Sequence, residues 1–385
     1  MRVPIGMLGV ICVVAILWEA FETIVLPRRV TRKFRLTRTF FRVTWYPWSA
    51  INKRRRPGKA RESALSFYGP LSLIFLILTW ALFLVMGFAM LHWSIGQSLD
   101  ASGHTGVGTD LYMSGTTFFT LGLGDVLPHG RAARVLTVIE GGTGFGFLGL
   151  IISYLPVLYQ AFSRREMNIS LLDSRAGSPF SAVELLRRHG EGHNIGALIQ
   201  LLRDWELWSA DLMESHLSYP VLSYFRSQHD NQSWIGALTT ILDACALVMT
   251  GIDEIPIWQA RLTFAMARHA IVDLSQIFGT RPEGLAVNRL PVPDFEHMTE
   301  MLREAGLNLT DPNSAYARLD RLRGLYEPYV ASLGSFLLMP LPNWLPSKKT
   351  LDNWQTSAWE RSPLISSVPG AGHVVGPSEG GSPTP

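Results

Sequence analysis

The chain has 385 residues, 47% of them hydrophobic, and carries 34 Lys and Arg against 31 Asp and Glu. That length holds two or three domains, and a positive mean hydropathy suits a protein partly in lipid and partly in water. Its two cysteines, Cys12 and Cys245, lie far apart and exclude a disulfide framework or a cysteine metal cluster.

Residues 4–26 form an apolar run long enough to cross a hydrocarbon core of about 30 Å at roughly 1.5 Å per residue. Only Arg2 precedes it and no small-residue cleavage site follows, so a membrane helix is expected rather than a signal peptide. The run closes on Trp18-Glu19-Ala20-Phe21-Glu22, with both acids on one helix face. They either pair near the inner surface with the arginines that follow or sense protons against neighbouring helices.

Residues 27–61 contain many Lys and Arg and no Asp or Glu. Such a block suits nucleic acid, but between apolar runs it marks the cytoplasmic side, which places the N-terminus outside. Arg32, Arg35, Arg38 and Arg42 recur at near-helical spacing, with Phe34, Phe41, Trp45 and Trp48 on another face. That pattern predicts a helix in the inner membrane interface, with the basic residues of 28–61 toward anionic lipids. Arg54-Arg55-Arg56 adds a second cluster, on a helix or on a disordered tether.

Residues 66–92 are the second expected span, and residues 93–108, which lack Lys and Arg, an outside loop. Thr109-Asp110 is a natural helix start, so Asp110 to Phe119 predicts a short helix aimed into the membrane. Its negative C-terminal end favours a cation just beyond it. There stands Thr120-Leu121-Gly122-Leu123-Gly124-Asp125, where two glycines free the backbone for unusual φ angles. If Thr120 to Gly124 is extended with its carbonyls turned one way, four copies around an axis make rings of oxygens that replace a cation's water. Residues 131–160 are the third span, rich in glycine, and Arg164-Arg165 marks the return to the cytoplasm. Within it Glu140 either lines an inner cavity or hydrogen-bonds behind the short helix, and the second is favoured because buried carboxylates find partners.

Thr117-x-x-Thr120-x-Gly122-x-Gly124-Asp125 resembles the signature of the tetrameric potassium-channel superfamily, and Leu111-Tyr112-x-Ser114 is similar to its pore helix. Gly130-Arg131, Gly141, Thr143, Phe145 and Gly146 resemble the start and hinge region of the inner helix of bacterial two-helix potassium channels. The resemblance covers residues 66–163. It implies ion binding by the carbonyls of Thr120, Leu121, Gly122, Leu123 and Gly124 and by the Thr120 hydroxyl. It also implies a pore mouth at Asp125 and a gating hinge at Gly141. Thr117 and Glu140 are expected to line the cavity or support the filter, although the family commonly has a small apolar residue where Glu140 stands. The family usually has Tyr or Phe where Leu123 stands, and often Trp where Tyr112 and Met113 stand, which brace the filter from behind.

Residues 164–355 read as a helical cytoplasmic domain resembling no nameable family. Helices are expected at 181–189, 194–217, 232–251, 256–278, 294–305 and 313–336. Ser181 with Glu184 reads as a capping box, and Trp234, Leu238, Ile241, Cys245 and Val248 as a core-facing stripe. The polar cluster His216, Tyr219, Arg226, His229, Asp230 and Ser233 reads as helix caps and a bonded turn; a catalytic dyad is the weaker alternative. His216 and His229 have no third ligand at a familiar metal spacing. The Gly/Pro/Ser-rich tail within 356–385 is expected to be disordered.

The expected protein is an all-α membrane protein of the cell membrane. Its parts are an N-terminal span at 1–26, a basic interfacial linker at 27–65, a pore domain at 66–163 and the cytoplasmic domain. One filter per chain requires a closed cyclic homo-oligomer, and the resemblance implies a homotetramer. The expected function is a potassium-selective channel. The alternatives are a poorly selective sodium/potassium pore and a membrane-anchored receptor or scaffold with a vestigial pore. No catalytic residue, nucleic-acid partner, cofactor or metal beyond the permeant K+ or Na+ is expected.

Overall fold

The computed structural model describes residues 2–26, 36–56, 58–96, 98–100, 106–229, 231–253, 255–282, 288–346 and 352–353. Three stretches are long and apolar enough to cross a membrane: Arg2–Val25, Lys59–Ile95 and Arg131–Ala176. The first is helix α1 (Arg2–Ala20) continued by a π-helical turn (Phe21–Val25). The second joins α3 (Lys59–Ser66) to α4 (Tyr68–Ile95), and the third is one helix, α6. Between α4 and α6 lies α5 (Val107–Phe118), too short to span. The protein is therefore an all-α membrane protein with three spanning helices and a re-entrant helix. The strands β1 (Ser98–Asp100) and β2 (Val126–Pro128) make the one sheet among the described residues, an antiparallel pair beside α5 that no alternation in the sequence announces.

Helix α1 lies antiparallel against α4, and small residues set the distance. A Cβ on Gly9 would stand 2.7 Å from the Gly87 carbonyl oxygen, and one on Gly87 2.7 Å from Val13. Such close approach substitutes backbone contact for the hydrophobic drive that lipid does not supply. At the far end of α1, Glu19 is fully buried and accepts the Thr37 backbone N–H at 2.9 Å, in the first turn of α2 (Leu36–Lys53). A carboxylate there meets an orphan amide and the positive helix end. Glu22 accepts the Trp18 indole N–H at 2.7 Å. Both acids thus sit at the α1–α2 junction, while Arg28 to Arg35 and Phe34 lie outside the described residues.

The aromatic face of α2 does not face lipid. Trp45 is buried, with ring centroids 4.7 Å from Tyr68 and 5.1 Å from Tyr224, and its indole N–H donates to the Phe336 carbonyl at 3.1 Å. Phe41 stacks on Tyr224 at 5.6 Å. Each such pair contributes about 0.5–1.5 kcal/mol beyond burial. The helix is amphipathic as expected, but its apolar side is spent on the protein, and Arg38, Arg42, Val43, Tyr46 and Ile51 face outward.

Helix α6 runs unbroken from Arg131 to Ala176, through residues 163 and 164 where the pore and cytoplasmic domains were expected to meet. Against its end pack α7 (Ala182–Glu191), α8 (Ile195–Ser218) and α9 (Trp234–Met249), and on these pack α10 (Ile257–Phe278), α11 (Val292–Glu304), α12 (Pro312–Arg323) and α13 (Glu327–Leu337). Helix α9 is the axis of this domain, touched by α6, α7, α8, α10, α12 and α13. It is buried on every side from Trp234 to Val248, not along one stripe, because helices surround it. Its one charged residue, Asp243, is held by the Arg289 guanidinium at 2.6 Å and by the Tyr326 hydroxyl.

Caps follow the sequence closely. Ser233 Oγ accepts the Gly236 amide at 2.9 Å and Ser181 Oγ the Glu184 amide at 3.3 Å. The Glu184 carboxylate turns instead to Arg187 and Arg188, so the capping box is half formed. The single helix expected over 313–336 is two. Pro328 stands in the first turn of α13, where its ring opposes helix continuation and its missing N–H costs nothing. The tail within 356–385 lies outside the described residues.

Candidate functional site

Helix α5 begins after Gly106, earlier than the expected Thr109-Asp110 start, and places Asp110 buried in its first turn. It is wedged between α4 and α6, with Met113, Ser114 and Phe118 buried. Phe118 meets the Phe147 ring of α6 at 5.8 Å. Beyond Phe119 the backbone changes hand. Thr120, Gly122 and Gly124 have φ of 57°, 58° and 77°, and Leu121 and Leu123 between them do not take positive values. Left-handed φ is costly for a residue with a Cβ, and glycine removes that cost at two of the three positions.

The alternation has a direct consequence for the amides. Leu121 N and Gly122 N converge on the single carbonyl of Thr116, at 2.7 and 3.4 Å, and Thr120 N reaches the Thr117 carbonyl at 3.0 Å. Successive N–H groups gathered on one side turn the carbonyls to the other. Among the described residues, nothing donates a hydrogen bond to the carbonyls of Thr120 to Gly124. The side chains of Leu121 and Leu123 stand 62% and 63% exposed on a single chain.

Asp125 accepts the Tyr112 hydroxyl at 2.8 Å, which ties the far end of this segment to α5. Behind α5, Glu140 is fully buried rather than facing a cavity. Its carboxylate meets the Ser114 hydroxyl on one oxygen and His92 Nε2 at 3.0 Å on the other. Thr117 lies beside Gly141, where an added Cβ would stand 3.9 Å from its methyl. Of the α6 glycines, Gly144 presses hardest on α5, where a Cβ would overlap the Phe118 carbonyl oxygen.

His92 and Gly144 escaped the sequence reading. His92 is one histidine near the end of a span, and Gly144 is one of several glycines in α6. No local pattern marks either, since their significance lies in what packs against them.

Residues 71–160 match the family model described as "Ion channel". This stretch is similar to ion channels. It takes in α5, all of Thr120 to Asp125, and most of α4 and of α6 on either side. A further likeness, 25% identity over 193 residues, is to the uncharacterized membrane protein YdjJ of Bacillus subtilis (strain 168). It covers 49% of this chain and 56% of that relative, so the chain spans little more than half its length. No solved structure matches significantly.

The polar cluster of the C-terminal helical domain does not come together as one site. His216 is buried, its ring 5.3 Å from Trp234 and its Nε2 3.2 Å from Arg165 Nη1. Arginine only donates, so Nε2 is the acceptor. Arg165 is itself buried and donates to the carbonyls of Leu222 and Phe225, each at 2.9 Å. It anchors the domain on the α6 extension. Arg226 reaches the carbonyls of Leu337 and Leu338, while His229 lines a polar cleft with Glu62 and Ser66. Ser233 caps α9, and Asp230 lies outside the described residues. Among the described residues, no group of His, Cys, Asp and Glu could hold a metal.

Burial first, and then the Arg165 charge, hold the His216 imidazole well below its usual range. In the unfolded chain it takes up a proton near pH ~6.5. The unfolded state therefore binds more protons below that pH. His216 leaves stability intact above pH ~6.5 and erodes it as pH falls toward the folded-state value, by about 1.4 kcal/mol per unit. The thermal midpoint of the purified protein is expected to be lower near pH ~5.5 than near pH ~7.5. His216→Gln, which keeps an acceptor for Arg165, is expected to shrink that difference.

Proposed function

We propose that the chain is one subunit of a homotetrameric potassium channel of the cell membrane, with its N-terminus outside and the α7–α13 domain in the cytoplasm. The observation that carries this reading is the run Thr120 to Gly124. The amides of Thr120, Leu121 and Gly122 fold back onto the end of α5, nothing among the described residues donates to the run's carbonyls, and the run lies within a region matched to ion channels. Four such runs around an axis make successive rings of oxygens that stand in for the water shell of a dehydrated cation. The C-terminal end of α5 adds partial negative charge behind them.

One chain supplies one such run, so the pore requires copies. Leu121, Leu123, Phe119 and the outer face of α6 at Val138 and Phe145 leave large apolar side chains uncovered. Neighbouring subunits and lipid would cover them. Asp125 stands at the mouth, where its charge concentrates cations, and Gly141 is the bending point of α6. Anionic lipids are the proposed partners of the outward basic face of α2.

The test is flux through liposomes containing the purified protein. Potassium and rubidium are expected to pass at least about tenfold faster than sodium and lithium. Equal passage of sodium would favour the poorly selective pore, which the aliphatic Leu123 permits. No flux at all would leave the receptor or scaffold.

A further inference from the structure

Three polar side chains from three helices meet behind the pore helix. His92 comes from the last turn of α4, Ser114 from the middle of α5, and Glu140 from α6. All three are fully buried, and none lies on the proposed ion path. A carboxylate in such a place costs several kcal/mol unless its oxygens are bonded. Here each oxygen has its own partner, Ser114 on one and His92 Nε2 on the other.

Hydrogen-bond accounting assigns the proton on His92. Its Nδ1 is buried and has no hydrogen-bond partner. A proton there would be an orphaned donor, so the neutral ring carries it on Nε2 and donates to Glu140. The Ser114 hydroxyl shares its proton between Glu140 and the Val85 carbonyl of α4, 2.8 Å away. The pore helix is thus tied to α4 and α6 through one carboxylate.

The tie bears on selectivity through the backbone. The end of α5 carries the Thr116 carbonyl that holds the amides of Leu121 and Gly122. A shift of α5 against its neighbours therefore turns the very peptides whose oxygens form the rings. We propose that His92 and Glu140 are positioning residues for the filter, acting through Ser114 on the pore helix, and that they set discrimination between potassium and sodium. Groups one step behind a binding constellation commonly fix its geometry to within a fraction of an ångström. This inference rests on the pore reading above.

The experiment compares wild type, Ser114→Ala, His92→Phe and His92→Gln in liposomes under bi-ionic conditions. Ser114→Ala and His92→Phe are expected to conduct with a potassium-to-sodium permeability ratio lowered about tenfold or more. His92→Gln, whose amide still donates to Glu140, is expected to keep most of the ratio. The double variant Ser114→Ala/His92→Phe is expected to lose no more than the worse single one, since both break one tie. A wild-type ratio in conducting Ser114→Ala overturns the proposal, and this mild variant decides alone if His92→Phe fails to assemble. Wild type that carries no flux overturns the pore reading and this inference with it. A conducting, selective wild type with unchanged variants overturns the inference only.

Discussion

Gly122→Val is expected to abolish cation flux while leaving the purified oligomer intact. Gly122 sits at φ 58°, a conformation that strains any residue with a Cβ, and a β-branched one most. The strain is about 1–2 kcal/mol per copy, and a fourfold ring would carry it four times. Relief comes by rotating to negative φ, which takes the amide off the Thr116 carbonyl and turns the neighbouring carbonyls out of line. Space within the chain is not the obstacle, because a Cβ at Gly122 meets nothing within 4 Å. Gly115→Ala is the control, since Gly115 lies inside α5 without positive φ and its Cβ also meets open space. The measurement is potassium flux in liposomes at matched protein content. Flux within about threefold of wild type in Gly122→Val would remove the carbonyl rings as the conduction path.

The second large effect is expected at Gly144. A single methyl there overlaps the Phe118 carbonyl oxygen and stands 2.8 Å from the carbonyl carbon. These are backbone atoms at the end of α5, so they cannot swing aside as a side chain would. Overpacking of this kind costs about 1–3 kcal/mol per subunit. Gly144→Ala is expected to lower the thermal midpoint and to cut flux strongly, because relief pushes the end of α5 toward Thr120 to Gly124. Gly141→Ala should leave the midpoint near wild type, since its methyl would make only an ordinary contact at 3.9 Å with Thr117. Loss of flux in Gly141→Ala without loss of stability would mark bending at that position. Equal midpoints for the two variants would show that α6 does not press on α5 as described.

The helical plan was legible in the sequence because a membrane span is a local property. About twenty consecutive apolar residues suffice, and the runs at 4–26, 66–92 and 131–160 supply them. The caps at Ser181 and Ser233 were legible for the same reason, since a cap and its amide lie three residues apart. Pro328 was an equally local sign that the helix over 313–336 must break, and the run of helix formers around it hid the break. Helix α2 shows where local reading stops. Its amphipathic pattern predicts an apolar face, but that face meets Tyr68 and Tyr224, whose positions depend on the rest of the chain.

By itself the sequence determined that three helices cross a membrane and that glycines recur where a backbone needs left-handed φ, both consequences of residues close in the chain. Only the tertiary structure decided which surfaces face one another. It buried Glu140 behind α5, brought His92 to it, pressed Gly144 rather than Gly141 against the α5 backbone, and wrapped α9 on all sides. Those outcomes follow from how helices distant in sequence cross, and a crossing is set by many side chains together, not by any one stretch.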